Sequence, residues 1–508
     1  MKNHVVFLFL CLSLLAPLAY GMVQENDQYG SRLDALVTVR GEVPVIVTMD
    51  VDNWRTLSRQ SATASKTSSV GGEREMAAAA LVKAITGVAD GVRRSLPAGS
   101  FTQKRQYTLV PAMALTVNET GLRALAANSS ITGIYEDKLH ALPPITINQP
   151  AMTEPVPDLL NESAEIIGAA DAWAEGYTGK GIHVAILDTG VRTSHEMFTG
   201  KDFVEACFST TLGGYYSTTV CPNGLEAQVG PGAAAPNAGS HGTHVAGIAA
   251  GNHPGYRAGE AHRGVAPEAD IIAVQVFSKF SDPACSYFGL PAPCYLSYDS
   301  DQLAGLEFVY SLRSSFTIGA VNMSLGGGSY DAYCDTEAPL TTVIDNLRTS
   351  GIATVIATGN NGYCGSVASP SCISSAIAVG ATEQNDTQAA YSNYHSALQD
   401  LFAPGSAILS ATAQTDQSYA SWNGTSMATP HVAGVFTLLR QVLPGSGVNE
   451  LESALLKTGT KITDSCTGAP VTPRINVGLA MQYRRPSPAE KQFPWILFQQ
   501  LLTSPAID

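Results

Sequence analysis

The stretch GIHVAILDTG, residues 181–190, carries apolar residues on both alternations and then stops at a carboxylate, a threonine and a glycine. A strand apolar on one alternation has a wet face, whereas one apolar on both is covered on both sides, as in a parallel sheet wrapped by helices. The pattern returns in ADIIAVQVF (269–277), GAVNMSLGG (319–327), GIATVIATGNNG (351–362) and SSAIAVGAT (374–382), with helical stretches between. It predicts one α/β domain over residues 160–483, a parallel sheet with helices on both faces.

Ahead of this domain, residues 44–136 read as six short elements: PVIVTMD, the alanine-rich 75–95, QYTLV, MALTV, ETGLRALAA and ITGIYED. Their order, β-α-β-β-α-β, is that of a small α+β ferredoxin-like module. LHALPPITINQPAMTEPVPD (139–158) follows, with five prolines, and reads as an exposed extended linker. The first 21 residues, a lysine and then an apolar run ending in small residues, have the form of a secretory signal, leaving residues 22–43 as an N-terminal segment. The tail, residues 484–508, begins basic and proline-rich and ends with an apolar patch too short to cross a bilayer.

At 508 residues the chain exceeds a typical single core, and a 14% charged, 45% apolar composition is that of a globular protein. The net charge of −14 leaves no basic surface for phosphate backbones, so a nucleic-acid partner is not expected. No later segment supports a membrane span. Eight cysteines follow the signal, an even number in an exported chain, which predicts disulfides. Cys207–Cys221 and Cys285–Cys294 would each close a local loop; Cys334, Cys364, Cys372 and Cys466 allow three connectivities.

The chemistry gathers at strand ends, where α/β sheets build their sites. Asp188 closes the first quoted run. His241 stands at the mouth of a small-residue helix in GSHGTHVAGIAAG, with His244 one turn on. Ser426 lies in WNGTSMATPHVAG (422–434), at a turn opening a helix whose first turn would hold Pro430. A serine hydroxyl becomes a nucleophile only when a base takes its proton and a third group orients that base, and His241 and Asp188 are the types those roles need. The chain order Asp, His, Ser excludes the α/β-hydrolase order, and Ala428 breaks the G-x-S-x-G elbow. An aspartic protease needs a second D-[ST]-G, and a zinc protease needs a glutamate that HGTH lacks; neither is present.

The blocks AILDTG, HGTHVAG and GTSMATPHVAG, in that order, resemble those of the subtilisin-like serine peptidases. The resemblance covers about residues 165–480, and residues 44–137 resemble the inhibitory propeptide that often precedes such domains, with a processing site in 138–159. It implies a secreted endopeptidase, extracellular or periplasmic, made as a self-processing zymogen. Asp188 would orient His241 as general base, Ser426 would attack, and Asn360 with the Ser426 backbone N–H would hold the oxyanion. Ser324, Leu325 and Gly326 would pair with an extended substrate. Partners would be protein or peptide substrates and the chain's own propeptide. Catalysis would need no cofactor; structural calcium is common in the family, but no acidic loop here matches a site. An inactive binding protein on the same fold is the rival of another class, separable by casein hydrolysis sensitive to a serine-directed phosphonate.

Overall fold

The computed structural model describes residues 31–63, 71–144, 146–147, 162–257, 260–336, 339–463, 466, 468 and 472–484. The expected signal, residues 1–21, most of the linker and the tail lie outside the described residues.

Among the described residues eight strands form the main sheet, in the order Ala227–Val229, Phe203–Phe208, Asp270–Gln275, His183–Asp188, Ile318–Met323, Ala353–Ala357, Ile377–Thr382 and Leu401–Pro404. All pairings are parallel except that of the short edge strand Ala227–Val229. All five quoted runs are in this sheet. Alternation explains why they are apolar throughout: Val184 and Ile186 pack with Val245, Val432 and Val435, from the helices His241–Ala250 and Thr425–Val442. Ala185 and Leu187 face the other way, onto Leu303 and Leu306 of the helix Asp299–Leu312. Both faces are thus covered by helices, as the alternation predicts.

The N-terminal unit is an antiparallel sheet in the order Phe101–Gln106, Ala112–Val117, Val43–Met49, Ile131–Glu136. The predicted module differs in three places. Helix Ser31–Arg40 extends it into the supposed N-terminal segment, with Leu33 and Val37 in its core. A second unforeseen helix is Trp54–Thr63. The strand expected at QYTLV is instead Phe101–Gln106, because the backbone N–H groups of Thr108, Leu109 and Val110 donate to Glu307 Oε1 at 2.7, 2.6 and 3.2 Å rather than to a ladder.

The supposed exposed linker is a further correction at its start. Leu139–His140 pairs antiparallel with Cys294–Tyr298, and Thr146–Ile147 with Tyr419–Asn423, so this stretch threads a groove of the main domain. Among the described residues four disulfides form, Cys207–Cys221, Cys285–Cys294, Cys334–Cys372 and Cys364–Cys466; the last two select one of the three open connectivities.

Candidate active site

Asp188 is the last residue of the strand His183–Asp188 and is fully buried. Its Oδ1 accepts the Thr189 N–H at 2.7 Å, and its Oδ1 and Oδ2 lie 2.8 and 3.0 Å from His241 Nδ1. His241 begins its helix, which the small residues of HGTHVAG allow to press against the strand end. A Cβ on Gly242 would stand 2.3 Å from the Gly190 carbonyl oxygen and 3.1 Å from Asp188 Cβ, so only glycine permits this approach. Since an ionised carboxylate only accepts, Nδ1 carries the proton and Nε2 keeps its lone pair. Nε2 is buried and has no hydrogen-bond partner among the described residues.

His244 is stacked on Trp422 with ring centroids 4.3 Å apart, and its Nε2 donates to the Ala420 carbonyl at 2.9 Å. Burial lowers its pKa to about 3, so it is a neutral packing residue. His431, bonded through Nδ1 to the Met427 carbonyl, is likewise held neutral by burial, at about 4.

Ser426 is the second residue of the helix Thr425–Val442 and is fully buried. Pro430 is the sixth, beyond the first turn expected for it. Its ring nitrogen cannot donate to the carbonyl four residues back, that of Ser426. The Ser324 hydroxyl fills the gap, donating to the Ser426 carbonyl at 2.9 Å. The Ser426 hydroxyl in turn donates to the Ser324 carbonyl at 3.3 Å. The structure therefore brings Asp188 and His241 into contact and turns Ser426 Oγ toward Ser324.

Asn360 follows the strand Ala353–Ala357 across Gly359, whose φ of +102° suits glycine. Its Oδ1 accepts from the Thr425 N–H and Oγ1 at 2.8 and 2.7 Å, locking the side chain to the start of the Ser426 helix. Its Nδ2 donates to the Pro144 carbonyl at 2.7 Å. Ser324, Leu325 and Gly326 follow the strand Ile318–Met323, and the Gly326 N–H lies 3.5 Å from the Ala141 carbonyl. Lys138 accepts from the Asp299 N–H at 3.0 Å on the opposite wall. The segment from Lys138 to Ala141 is thus held between two edges, with the Pro144 carbonyl delivered to Asn360.

Sequence reasoning missed Asn393, whose Oδ1 accepts from the Asn361 and Tyr363 N–H groups and whose Nδ2 donates to the Thr358 carbonyl, shaping the Asn360 turn. Nothing in its local sequence signals this. It also missed Trp422, although the residue lies within the quoted Ser426 block. Among the described residues no group of three or more His, Cys, Asp or Glu side chains is arranged to hold a metal ion.

Residues 179–470 match the subtilase family. The extracellular serine proteinase of Thermus sp. (strain Rt41A) is 34% identical over 284 residues, which is 56% of this chain and 56% of that protein. The M-protease of Shouchella clausii (strain KSM-K16) is 30% identical over 358 residues, 70% of this chain and 76% of that protein. Subtilisin Savinase of Lederbergia lenta is 32% identical over 299 residues, 58% of this chain and 90% of that protein. This chain belongs to the subtilase family, the subtilisin-like serine peptidases.

Proposed function

We propose that the chain is a secreted serine endopeptidase, made as a precursor that cuts itself, with Asp188, His241 and Ser426 as its catalytic triad. The observation that carries this reading is the contact of the Pro144 carbonyl with Asn360 Nδ2 at 2.7 Å, at the start of the helix bearing Ser426. The names of its relatives, which include extracellular serine proteinase and alkaline protease, support it. No helix among the described residues is long and apolar enough to cross a membrane.

The chemistry follows from the contacts. Asp188 fixes the His241 Nδ1–H and stabilises the imidazolium that forms, leaving Nε2 to act as base. The Ser426 hydroxyl turns from the Ser324 carbonyl to this nitrogen, loses its proton to it, and Oγ bonds to the Pro144 carbonyl carbon. Asn360 Nδ2 and the Ser426 backbone N–H stabilise the oxyanion. His241 then gives its proton to the Ile145 nitrogen as the Pro144–Ile145 bond breaks. Water, activated by the same imidazole, releases the acyl group from Ser426.

Ser324, Leu325 and Gly326 contribute an edge to which an extended substrate adds as a strand, a mode blind to sequence. Ser324's carbonyl is suited to accept a substrate N–H beside the scissile carbonyl. Pro144 has none, and the Ser426 hydroxyl occupies that acceptor instead. The N-terminal unit through Pro144 then acts as the inhibitory propeptide, staying bound after the cut through its contacts with the helix Asp299–Leu312.

Wild-type protein and Ser426→Ala, expressed without other proteases, test the reading by intact mass and N-terminal sequencing. Wild type should split with a new terminus at Ile145, and Ser426→Ala should stay whole and lose casein hydrolysis. Processing of Ser426→Ala at the same bond would refute self-cleavage by this triad.

A further inference from the structure

Backbone pairing along the groove cannot distinguish one substrate from another, so selectivity has to come from where side chains are seated. Four residues before Pro144, His140 places its Nε2 2.8 Å from Asp299 Oδ1, and the two side chains are only 4% and 6% exposed. Asp299 opens the helix Asp299–Leu312 directly after the strand Cys294–Tyr298, the strand against which Leu139 and His140 are paired. The seat is therefore part of the same wall that holds the backbone.

Polar character continues along the helix. Gln302, three residues on and so on the same side as Asp299, is fully buried, and neither its Oε1 nor its Nε2 has a hydrogen-bond partner among the described residues. A small cavity lined by Lys138, Asp299, Tyr330, Cys334, Leu340 and Ser369 adjoins the seat. Lys138 belongs to the threaded segment, so the cavity loses part of its lining when that segment leaves.

The energetics favour one class of occupant. When the threaded segment departs, Asp299 regains water; a new substrate laid along the same edge buries it again. A buried carboxylate is tolerated when a cation or strong donor compensates it, and is costly beside an apolar group. We propose that Asp299 is a specificity-determining residue, selecting a basic substrate side chain (His, Lys or Arg) four residues before the carbonyl held by Asn360. The proposal rests on the peptidase reading above and adds to it an acidic subsite distant from the scissile bond.

Mature wild-type enzyme can be given paired fluorogenic peptides that differ only in arginine or norleucine at that position, together with pairs in which the arginine is moved one residue either way. Arginine should raise kcat/KM by about 10–100-fold at the Asp299 position, the range for a hydrogen bond to a charged group. The preference should vanish when the arginine is moved, and in Asp299→Asn the ratio should fall to within about threefold. Equal rates within the first pair would overturn the proposal while leaving the peptidase reading intact. So would a preference that follows arginine to the neighbouring positions, since the chain's net charge of −14 could attract any basic peptide. Failure to hydrolyse any peptide in a Ser426-dependent way would instead defeat the peptidase reading and this proposal with it. Should Asp299→Asn fail to mature, the wild-type pairs decide alone.

Discussion

The strand-end site and the seam beneath the N-terminal unit are both built around carboxylates, but in opposite ways. At the site, Asp188 is positioned by exclusion: small residues such as Gly190 and Gly242 let a helix close on a strand end, and the carboxylate meets side chain and backbone of its own domain. At the seam, each acid satisfies groups that the other unit brings, although Asp301 also accepts from the Thr210 N–H and hydroxyl of its own domain. Glu307 accepts three backbone N–H groups, Asp301 pairs with Arg105, and Asp137 accepts the Ser300 N–H at 2.8 Å. The first arrangement needs nothing from the other unit, whereas in the second water would have to replace the partner's groups if the units parted. The site and the seam thus differ in how far their acids depend on polar groups of the other unit.

The sharpest way to strain this contrast is at Asn360, which belongs to the site yet touches the threaded segment. Asn360→Ala should lower kcat by about 10²–10³-fold with KM little changed, the range known for loss of one oxyanion donor in a subtilisin. Unchanged kcat would remove Asn360 from the oxyanion pocket. A smaller effect is expected at the seam. Glu307→Ala strands three N–H groups of the N-terminal unit, and the inhibition constant of that unit added in trans should rise by about 10–100-fold. An unchanged constant would mean that those hydrogen bonds do not hold the joint.

The gentlest probe is pH. Burial, with Asp299 and Asp301 nearby, pushes the Asp137 carboxyl up to about 8 against the hydrogen bonds from Ser300. In the free N-terminal unit it returns toward the ordinary value of about 3.9. The proton is held more tightly in the complex, so this contribution to binding is full at acid pH below the free value and is lost as pH rises through about 8. Inhibition should weaken across that window, by at most about tenfold per pH unit, and Asp137→Asn should flatten the slope. A constant of inhibition that did not change between about pH 5 and pH 8 would contradict the assignment of this proton.

The same contrast explains what the sequence discloses. Asp188, His241, Ser426 and Asn360 each sit at the end of an apolar run or the start of a helix, so local patterning marks them. Phe101–Gln106 is an edge strand whose sequence, FTQKRQ, lacks the apolar alternation of a strand with one dry face. Its Lys104 and Arg105 instead reach Glu226 and Asp301 of the other unit. QYTLV shows the reverse: β-prone side chains whose backbone was claimed by Glu307, a residue about two hundred positions away. Pro430 read as a first-turn proline because its position could not reveal that Ser324 would satisfy the carbonyl it frees. The seat of His140 on Asp299 was equally hidden, since neither residue stands in a motif.

The disulfides Cys334–Cys372 and Cys364–Cys466 overlap along the chain. Together they enclose Asn360 and Ser426, and a single break of the backbone anywhere between Cys334 and Cys466 leaves one covalent molecule. In a solution crowded with copies of a protein-digesting enzyme, nicking by a sister molecule is a constant hazard. A copy nicked once in this region would keep its two halves tethered at high local concentration, able to re-dock rather than drift apart. The overlapping rings therefore act as insurance against autolysis, protecting the part of the chain that carries Asn360 and Ser426.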